Sequence, residues 1–197
     1  MADKHTRAMQ ITKEKVDQRI AEADTEQGVV VLLTGNGKGK SSSAFGMVMR
    51  ALGYEQKVGV VQFIKGEQLS GEELYLKNKC PEVMLYQMGT GFTWDTQDRA
   101  SDMAAAETTW HVAADLLQDA RYDLVVLDEL TYMLGYHYLD EAMVIDAIRS
   151  RPKEQSVVVT GRGGGQALRA ISDTVSDVKD IKHAFTQGIK ARKGVDV

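Results

Sequence analysis

The sequence predicts an α/β protein with a mostly parallel sheet, helices on both faces of that sheet and a helical arm at the amino terminus. From Gly28 onward, short apolar runs alternate with amphipathic segments, as expected for consecutive β-α-β units. The first run, VVVLLT, is almost entirely apolar, which is typical of a strand covered on both faces. A glycine-rich turn then leads into a helical segment.

The arm comprises residues 1–27, and its helix is predicted over residues 8–27. Met9, Val16 and Ile20 recur there at near-helical spacing between charged residues. The apolar stripe is thin, so it fits either a helix packed on its own domain or an arm that docks on a partner subunit or closes over a site. Residues 28–197 are predicted to form one domain, because no linker, repeat or low-complexity tract divides them.

The remaining elements follow from the alternation of the two kinds of segment. Strands are predicted, in chain order, at VVVLLT, KVGVVQF, EVMLYQM, YDLVVLDE, SVVVTG and within DTVSDVKDIKHAF. Helices are predicted at SSSAFGMVMRALGYE, GEELYLKN, TQDRASDMAAAETTWHVAADLLQD, LDEAMVIDAIRSR and GGQALRAIS. Pro152 ends the fourth of these helices, because proline lacks the N–H that a helix interior needs.

The charge and composition of the chain argue against several classes of protein and of binding partner. A net charge of −4 argues against broad electrostatic binding to nucleic acid or anionic lipid, but leaves room for one anion in a local basic pocket. The lone Cys80 excludes an internal disulfide and a cysteine-based zinc site. No apolar run approaches the roughly 20 residues of a membrane span, and the charged amino terminus has no signal-peptide core. These features predict a cytoplasmic protein with no nucleic-acid or membrane partner.

The segment TGNGKGKS is nearly a phosphate-binding loop of the pattern G-x-x-x-x-G-K-[ST], but Thr34 stands at the first glycine. In an open parallel sheet, ligands bind beyond the carboxyl ends of the strands, where this loop begins. Backbone N–H groups, a helix amino terminus and lysine side chains together favour an anion. The loop predicts a P-loop NTPase-like (RecA-like) fold that binds a nucleotide through Gly35, Asn36, Gly37, Lys38, Gly39, Lys40, Ser41 and Ser42.

Three further residues are candidates for the rest of this site. Asp128 and Glu129 end the apolar run LVVLDE, and one of them is expected to hold Mg²⁺ together with the Ser41 hydroxyl. Adjacent residues of a strand point to opposite faces, so only one carboxylate should face the metal. Arg162 follows the fifth strand on the same side of the sheet and is a candidate to bind a phosphate or a carboxylate.

Two aromatic residues, Phe92 and Trp94, lie in a segment flanked by glycines. They fit either a core anchor or an apolar wall for a large flat ligand. A phosphoryl-transfer enzyme must also position its attacking water or hydroxyl, and the sequence offers no recognisable residue for that task.

The segments TGNGKGKS, VGVVQFIKG, GTGFTWDTQD, VVLDELTY, VTGRG, KHAF and GIKA, in this order from about Gly28 to the carboxyl terminus, resemble the P-loop type of cob(I)alamin (corrinoid) adenosyltransferase. The resemblance implies transfer of the 5′-deoxyadenosyl group of ATP to the Co(I) of a reduced corrinoid, with release of triphosphate, in adenosylcobalamin synthesis or salvage. ATP would lie in a reversed orientation relative to ordinary P-loop enzymes.

The resemblance also assigns roles to residues. Residues 35–41 would bind the phosphates, Lys40 would stabilise the leaving triphosphate, and Ser41 with Glu129 would hold Mg²⁺. The family usually has threonine at the Ser41 position, and serine keeps the hydroxyl. Phe92 and Trp94 match the aromatic pair that displaces the lower ligand of cobalt, which makes Co(II) easier to reduce.

The partners implied are a reduced flavodoxin or flavin as electron donor and a second copy of the chain, with the amino-terminal helix helping to close the site of a homodimer. Two other functions remain compatible with the residues alone. Lys40, Ser41 and the acidic pair would also suit a P-loop ATP hydrolase or kinase, and the arm would suit a non-catalytic, nucleotide-dependent interaction protein.

Overall fold

Six parallel strands form the central sheet in a computed structural model that describes residues 2–64, 69–89 and 98–196, and the side chains from His5 onward. Their order across the sheet is β3-β2-β4-β5-β1-β6, and each neighbouring pair is parallel. The strands are β1 (Val30–Thr34), β2 (Val58–Gln62), β3 (Met84–Gln87), β4 (Leu124–Asp128), β5 (Ser156–Thr160) and β6 (Thr174–Asp177). The predicted parallel α/β sheet is confirmed.

The helices largely follow the predicted pattern, with three differences. The arm helix begins and ends earlier than predicted, a short helix after β4 was not predicted, and the last strand takes only four residues of its segment. The helices are α1 (Ala2–Glu22), α2 (Lys40–Gly53), α3 (Gly71–Lys79), α4 (Arg99–Gln118), α5 (Leu130–Gly135), α6 (Glu141–Arg149) and α7 (Gly165–Ile171), followed by a 3₁₀ turn at Ala184–Gln187.

The four inner strands, β2, β4, β5 and β1, are buried on both faces, which explains their continuous apolar runs. The outer strands β3 and β6 are half-buried and exposed, respectively. Val30 and Leu32 of β1 pack into a core formed with α4, α5, α6 and α7. Val31 and Leu33, which point the other way, pack into a second core with α2 and α3. The same alternation holds in the neighbouring strands, because successive side chains of a strand point to opposite faces.

All six strands end at the same edge of the sheet, and each ends on a polar residue. These residues are Thr34, Gln62, Gln87, Asp128, Thr160 and Asp177. The loop that contains the phosphate-binding motif leaves β1 at this edge. The fold therefore brings polar side chains from all six strands to the edge where the predicted nucleotide site begins.

The arm helix α1 leaves its apolar side chains uncovered. Met9, Ile11, Val16 and Ile20 are 57%, 46%, 47% and 66% exposed, respectively. The helix therefore does not pack these side chains on its own domain in the part of the chain described. None of the described helices is both long and apolar enough to cross a membrane.

Candidate active site

The predicted phosphate loop connects the end of β1 to the start of α2. Gly35 has a φ of 99°, a left-handed conformation that favours glycine. A Cβ atom at Gly35 would also overlap Val178 O and Asp177 Oδ1. The Gly37 N–H donates to Val178 O at 2.7 Å. The chain that follows β6 therefore packs directly against the loop and fixes its shape.

Thr34, which replaces the first glycine of the pattern, is fully buried at the end of β1. Its hydroxyl donates a 2.6 Å hydrogen bond to the Gly163 carbonyl oxygen, in the loop that follows β5. Thr34 therefore joins two of the loops at the ligand edge of the sheet. The departure from the common pattern has a structural reason.

The two lysines of the loop have different partners. Lys40 is 7% exposed and donates to the Gly37 carbonyl oxygen at 2.7 Å. Burial lowers the pKa of the Lys40 ammonium, and the nearby carboxylate of Glu129 opposes this shift. Lys38 is more exposed and forms a 3.1 Å ion pair with Asp196, near the carboxyl terminus. An anion that binds at this loop would face two positively charged side chains. It could replace the present partner of each, the Gly37 carbonyl oxygen and the Asp196 carboxylate.

Two adjoining clefts share these lysines. One, of about 350 Å³, is lined by both lysines together with Gly39, Ser41, Ser42, Asp128 and Glu129. The other, of about 430 Å³, adds Asn36, Gly37 and Arg162. The predicted site residues from Asn36 to Ser42 thus surround one continuous region together with Asp128, Glu129 and Arg162. Gly35 faces the chain after β6.

Glu129 combines an unusual backbone conformation with a buried carboxylate oxygen that has no hydrogen-bond partner among the described residues. Its backbone is left-handed (φ 60°, ψ 20°), which is uncommon for a residue with a side chain. Its Oε2 atom is buried and has no hydrogen-bond partner in the structure as described. Burial, and secondly the neighbouring Asp128 carboxylate, raise the pKa of Glu129 to about 7, against the opposing effect of Lys40 and Arg162.

Asp128 is instead committed to the protein. It is 3% exposed, Oδ1 accepts from the Thr160 hydroxyl at 2.6 Å, and Oδ2 accepts from Gln62 Nε2 at 3.2 Å. The two carboxylates that the strand pattern alone could not separate therefore differ in their hydrogen bonding. Glu129 is the one with an unused oxygen, and it lines the same cleft as Ser41.

The same geometry tests whether a divalent cation fits. No group of three or more His, Cys, Asp or Glu side chains that could hold a metal occurs among the described residues. Mg²⁺ at a nucleotide needs few protein ligands, because waters and phosphates supply most of its six positions. The Ser41 hydroxyl and the unpartnered Glu129 oxygen are a donor set of that kind.

The family model for the ATP:corrinoid adenosyltransferases BtuR/CobO/CobP matches residues 26–197. The chain belongs to the ATP:corrinoid adenosyltransferase family. It is 52% identical over 193 residues to a corrinoid adenosyltransferase of Pseudomonas aeruginosa, with 98% of this chain and 95% of that protein aligned. The protein of the same name from Escherichia coli K12 is 47% identical over 194 residues, covering 98% of both chains. The family inferred from the sequence is confirmed.

Comparison with solved structures finds a similar fold in a protein of low sequence identity. The flagellar accessory protein FlaH from Methanocaldococcus jannaschii superposes with a TM-score of 0.52 at 12% identity, covering 83% of this chain and 76% of that one. At this identity the likeness concerns the fold alone. It supports the P-loop NTPase-like, RecA-like class that the sequence predicts for this adenosyltransferase.

Arg162 lies beside the phosphate loop of the adenosyltransferase site, with its side chain exposed. Its charge is close enough to influence both Lys40 and Glu129. Its carbonyl oxygen accepts from the Thr131 hydroxyl at 2.8 Å, and a Cβ atom at Gly161 would overlap that hydroxyl oxygen. The glycine lets the loop after β5 pass close to α5, which keeps Arg162 at the cleft.

Sequence reasoning missed a chain of polar side chains that spans the strand ends. Gln87 Nε2 donates to Gln62 Oε1 at 2.8 Å and to Glu73 Oε1 at 2.7 Å, and Gln62 in turn donates to Asp128. Thr160 continues the chain from Asp128 to the Glu129 N–H. Each strand ends on a polar residue, and this pattern is visible in the sequence. Which of these residues are hydrogen-bonded to one another depends on the order of the strands in the sheet.

The aromatic pair Phe92 and Trp94, which carries the most distinctive part of the family resemblance, lies outside the described residues. Their assignment to the corrinoid stays a prediction from the sequence.

Proposed function

We propose that this chain transfers the 5′-deoxyadenosyl group of ATP to the Co(I) of a reduced corrinoid and releases triphosphate, in adenosylcobalamin synthesis or salvage. One observation carries the proposal. Lys40, Ser41 and Glu129 meet around one cleft in a chain that the adenosyltransferase family model matches over residues 26–197. The named relatives, corrinoid adenosyltransferases, support the same reaction.

In this reaction the cobalt of the substrate is the nucleophile. Its electron pair forms the cobalt–carbon bond at C5′ of the ribose, while the C5′–O bond breaks and its electrons leave with the triphosphate. No water or hydroxyl has to be deprotonated, so the protein contributes binding, orientation and electrostatic stabilisation. The phosphate loop suits this task, because it presents Lys38 and Lys40 to the group on which negative charge develops.

Ser41 and Glu129 would hold a Mg²⁺ ion in the proposed site. When bound, the cation would neutralise charge on the leaving triphosphate. The unpartnered Oε2 of Glu129 supports this assignment, since a buried carboxylate oxygen without a donor is costly unless a ligand completes it.

We assign Phe92 and Trp94 to the corrinoid, where they would displace the lower ligand of cobalt. Loss of an axial donor lowers the orbital that accepts the electron, so Co(II) becomes easier to reduce by a reduced flavodoxin or flavin. Trp94→Ala should therefore reduce turnover strongly when the assay starts from Co(II), and much less when Co(I) is supplied chemically. Equal losses in the two assays would make Trp94 merely structural.

The experiment that tests the proposal identifies the products. The protein is mixed anaerobically with ATP, Mg²⁺ and chemically reduced cobalamin, and the corrinoid spectrum and phosphate species are followed. Adenosylcobalamin and triphosphate in equal amounts are expected. ADP and phosphate formed without corrinoid would instead indicate a hydrolase or kinase, and nucleotide binding without turnover would indicate an interaction protein.

Lys40→Ala tests the role of the loop in that assay. Because Lys40 would act on the triphosphate and not on the reduction of cobalt, the variant should lose at least about tenfold in turnover even with Co(I) supplied, as expected when one stabilising charge is removed. Lys57→Ala provides the control, because Lys57 precedes β2 at the opposite edge of the sheet and stacks on Tyr122. Unchanged turnover in Lys40→Ala would refute its role.

A further inference from the structure

Thr160 makes two hydrogen bonds that link the consecutive residues Asp128 and Glu129. Its Oγ1 atom accepts from the Glu129 N–H at 2.9 Å, and its hydroxyl donates to Asp128 Oδ1 at 2.6 Å. Thr160 and Asp128 are almost completely buried, at 0% and 3% exposure. We infer that Thr160 is a positioning residue, which sets the place of the Glu129 carboxylate with Asp128 as its anchor.

The directions of these hydrogen bonds are fixed by their chemistry. The Glu129 N–H can only donate, so the hydroxyl oxygen accepts from it and the hydroxyl hydrogen is directed to Asp128. Both oxygens of Asp128 have partners, one facing the Thr160 hydroxyl and the other facing Gln62 Nε2. Because Thr160 bonds to the backbone N–H of Glu129 and not to its carboxylate, it does not compete with a ligand for that carboxylate.

The backbone of Glu129 explains why such a unit is needed. A left-handed conformation is unfavourable for a residue with a side chain, so it persists only where the surroundings hold it. The hydrogen bond from its own N–H to Thr160 holds this peptide. Relaxation to ordinary helical angles would carry the carboxylate away from the cleft that it shares with Ser41.

The sheet supports this positioning. β5 lies beside β4, and Leu127 pairs with Val159, so Thr160 is adjacent to the end of β4 by register alone. A change of the hydroxyl therefore need not disturb the strand pairing. The role of Thr160 is then separable from the stability of the sheet, which makes it testable.

The test rests on the proposed Mg²⁺ site and measures binding, without turnover. The dissociation constant of ATP is determined by calorimetry in EDTA and in saturating Mg²⁺, and the ratio of the two gives the gain due to the metal. Thr160→Val keeps the shape of the side chain but removes the hydroxyl. It should reduce the ratio of the two dissociation constants about tenfold, as is typical when a group that orients a metal ligand is removed. Thr160→Ser should keep the gain within about twofold, and the constant in EDTA should be unchanged in both variants.

Thr109→Val is the matched control. Thr109 is also buried, at 1% exposure, and its hydroxyl bonds to the Ala105 carbonyl oxygen within α4. Its substitution should lower the melting temperature without changing the gain from Mg²⁺. If Thr160→Val does not fold, Thr160→Ala is used, and the same loss is expected.

The outcomes separate this inference from the proposed function. A Thr160→Val protein that loses thermal stability but keeps the full gain from Mg²⁺ would overturn the positioning role and leave the metal site intact. A wild-type protein without any gain would remove the metal assignment and the inference with it, while the product assay with Co(I) would still decide the reaction.

Discussion

Thr34 illustrates, at the scale of single residues, how a departure from a motif follows from the fold. Its hydroxyl bonds to Gly163, so glycine at this position would leave the Gly163 carbonyl oxygen without that donor. Lost hydrogen bonding and a glycine within a strand each cost roughly 1 kcal/mol. Thr34→Gly, which restores the common pattern, is expected to lower the free energy of unfolding by about 2 kcal/mol.

The measurement for Thr34 is denaturant unfolding of the nucleotide-free protein. Thr34→Ser is the control, because serine keeps the hydroxyl and should stay within about 1 kcal/mol of the wild type, the worth of one hydrogen bond. A Thr34→Gly protein as stable as the wild type would show that the bond to Gly163 contributes nothing.

Glu129 predicts a pH dependence of stability in the absence of ligands. Its pKa is about 7 in the folded protein, against an ordinary value of 4.5, chiefly because of burial. The folded state therefore holds a proton that the unfolded chain releases, so stability is fully present below pH 4.5 and is lost as the pH rises through 7. Relative to Glu129→Gln, the wild type should lose about 3 kcal/mol over this interval.

Thermal or denaturant unfolding at several pH values, in EDTA, measures this difference. The Glu129→Gln protein supplies its own control, because it shares every other titrating group with the wild type. Parallel pH profiles of the two proteins would show that folding does not raise the pKa of Glu129.

At this scale the sequence predicted the residues whose chemistry is carried by a local pattern. Lys40 and Ser41 were named from the loop itself, and both line one cleft. The residues alone could not decide between Asp128 and Glu129, although the family resemblance named Glu129, and they gave no sign of the part played by Thr160. Both depend on which strand lies beside β4, and the side-chain pattern of one strand does not contain that information.

At the scale of elements, the carboxyl-terminal segment is the part of the site that sequence patterns described least well. Only Thr174–Asp177 forms a strand, after which the chain turns back over the phosphate loop. Polar, irregular segments have no periodicity from which to predict a path. The short helix α5 was missed for a related reason, since it follows a left-handed residue and spans only Leu130–Gly135.

The same segment makes a prediction about nucleotide binding. Asp196 pairs with Lys38, and its carboxylate also accepts from the Arg192 N–H. It therefore occupies a lysine that would bind the phosphates in the proposed site. Exposed ion pairs are weak, so the effect of removing the charge should be small. Asp196→Asn is expected to tighten ATP binding about two- to fivefold.

Calorimetric titration with ATP checks this expectation. Glu82→Gln makes the same change in net charge at an exposed position just before β3, at the opposite edge of the sheet, and should leave the affinity unchanged. Weaker binding in Asp196→Asn would mean that this carboxylate supports the nucleotide site instead of competing with it.

At the scale of the whole molecule, α1 bears on the proposed homodimer. Its apolar stripe is uncovered in the single chain, and Ile20 is 66% exposed. If the stripe packs against a second copy, each dimer buries two such side chains, at about 1.5–3 kcal/mol each. Ile20→Asp should therefore weaken dimerisation by at least about a hundredfold.

Sedimentation velocity over a range of protein concentrations measures that change. Gln18→Asp is the control, because it adds the same charge on the opposite side of α1 and should leave the dimer intact. An Ile20→Asp protein that dimerises like the wild type would exclude α1 from the interface.

The position of β5 governs the order in which the chain can fold during synthesis. β5 lies between β4 and β1, and β1 pairs only with β5 and β6 among the described strands. β1 is synthesised before either of these partners, so it stays unpaired while β2, β3 and β4 are made. Until β5 emerges, the nascent chain exposes open apolar strand edges, the kind of surface that chaperones cover.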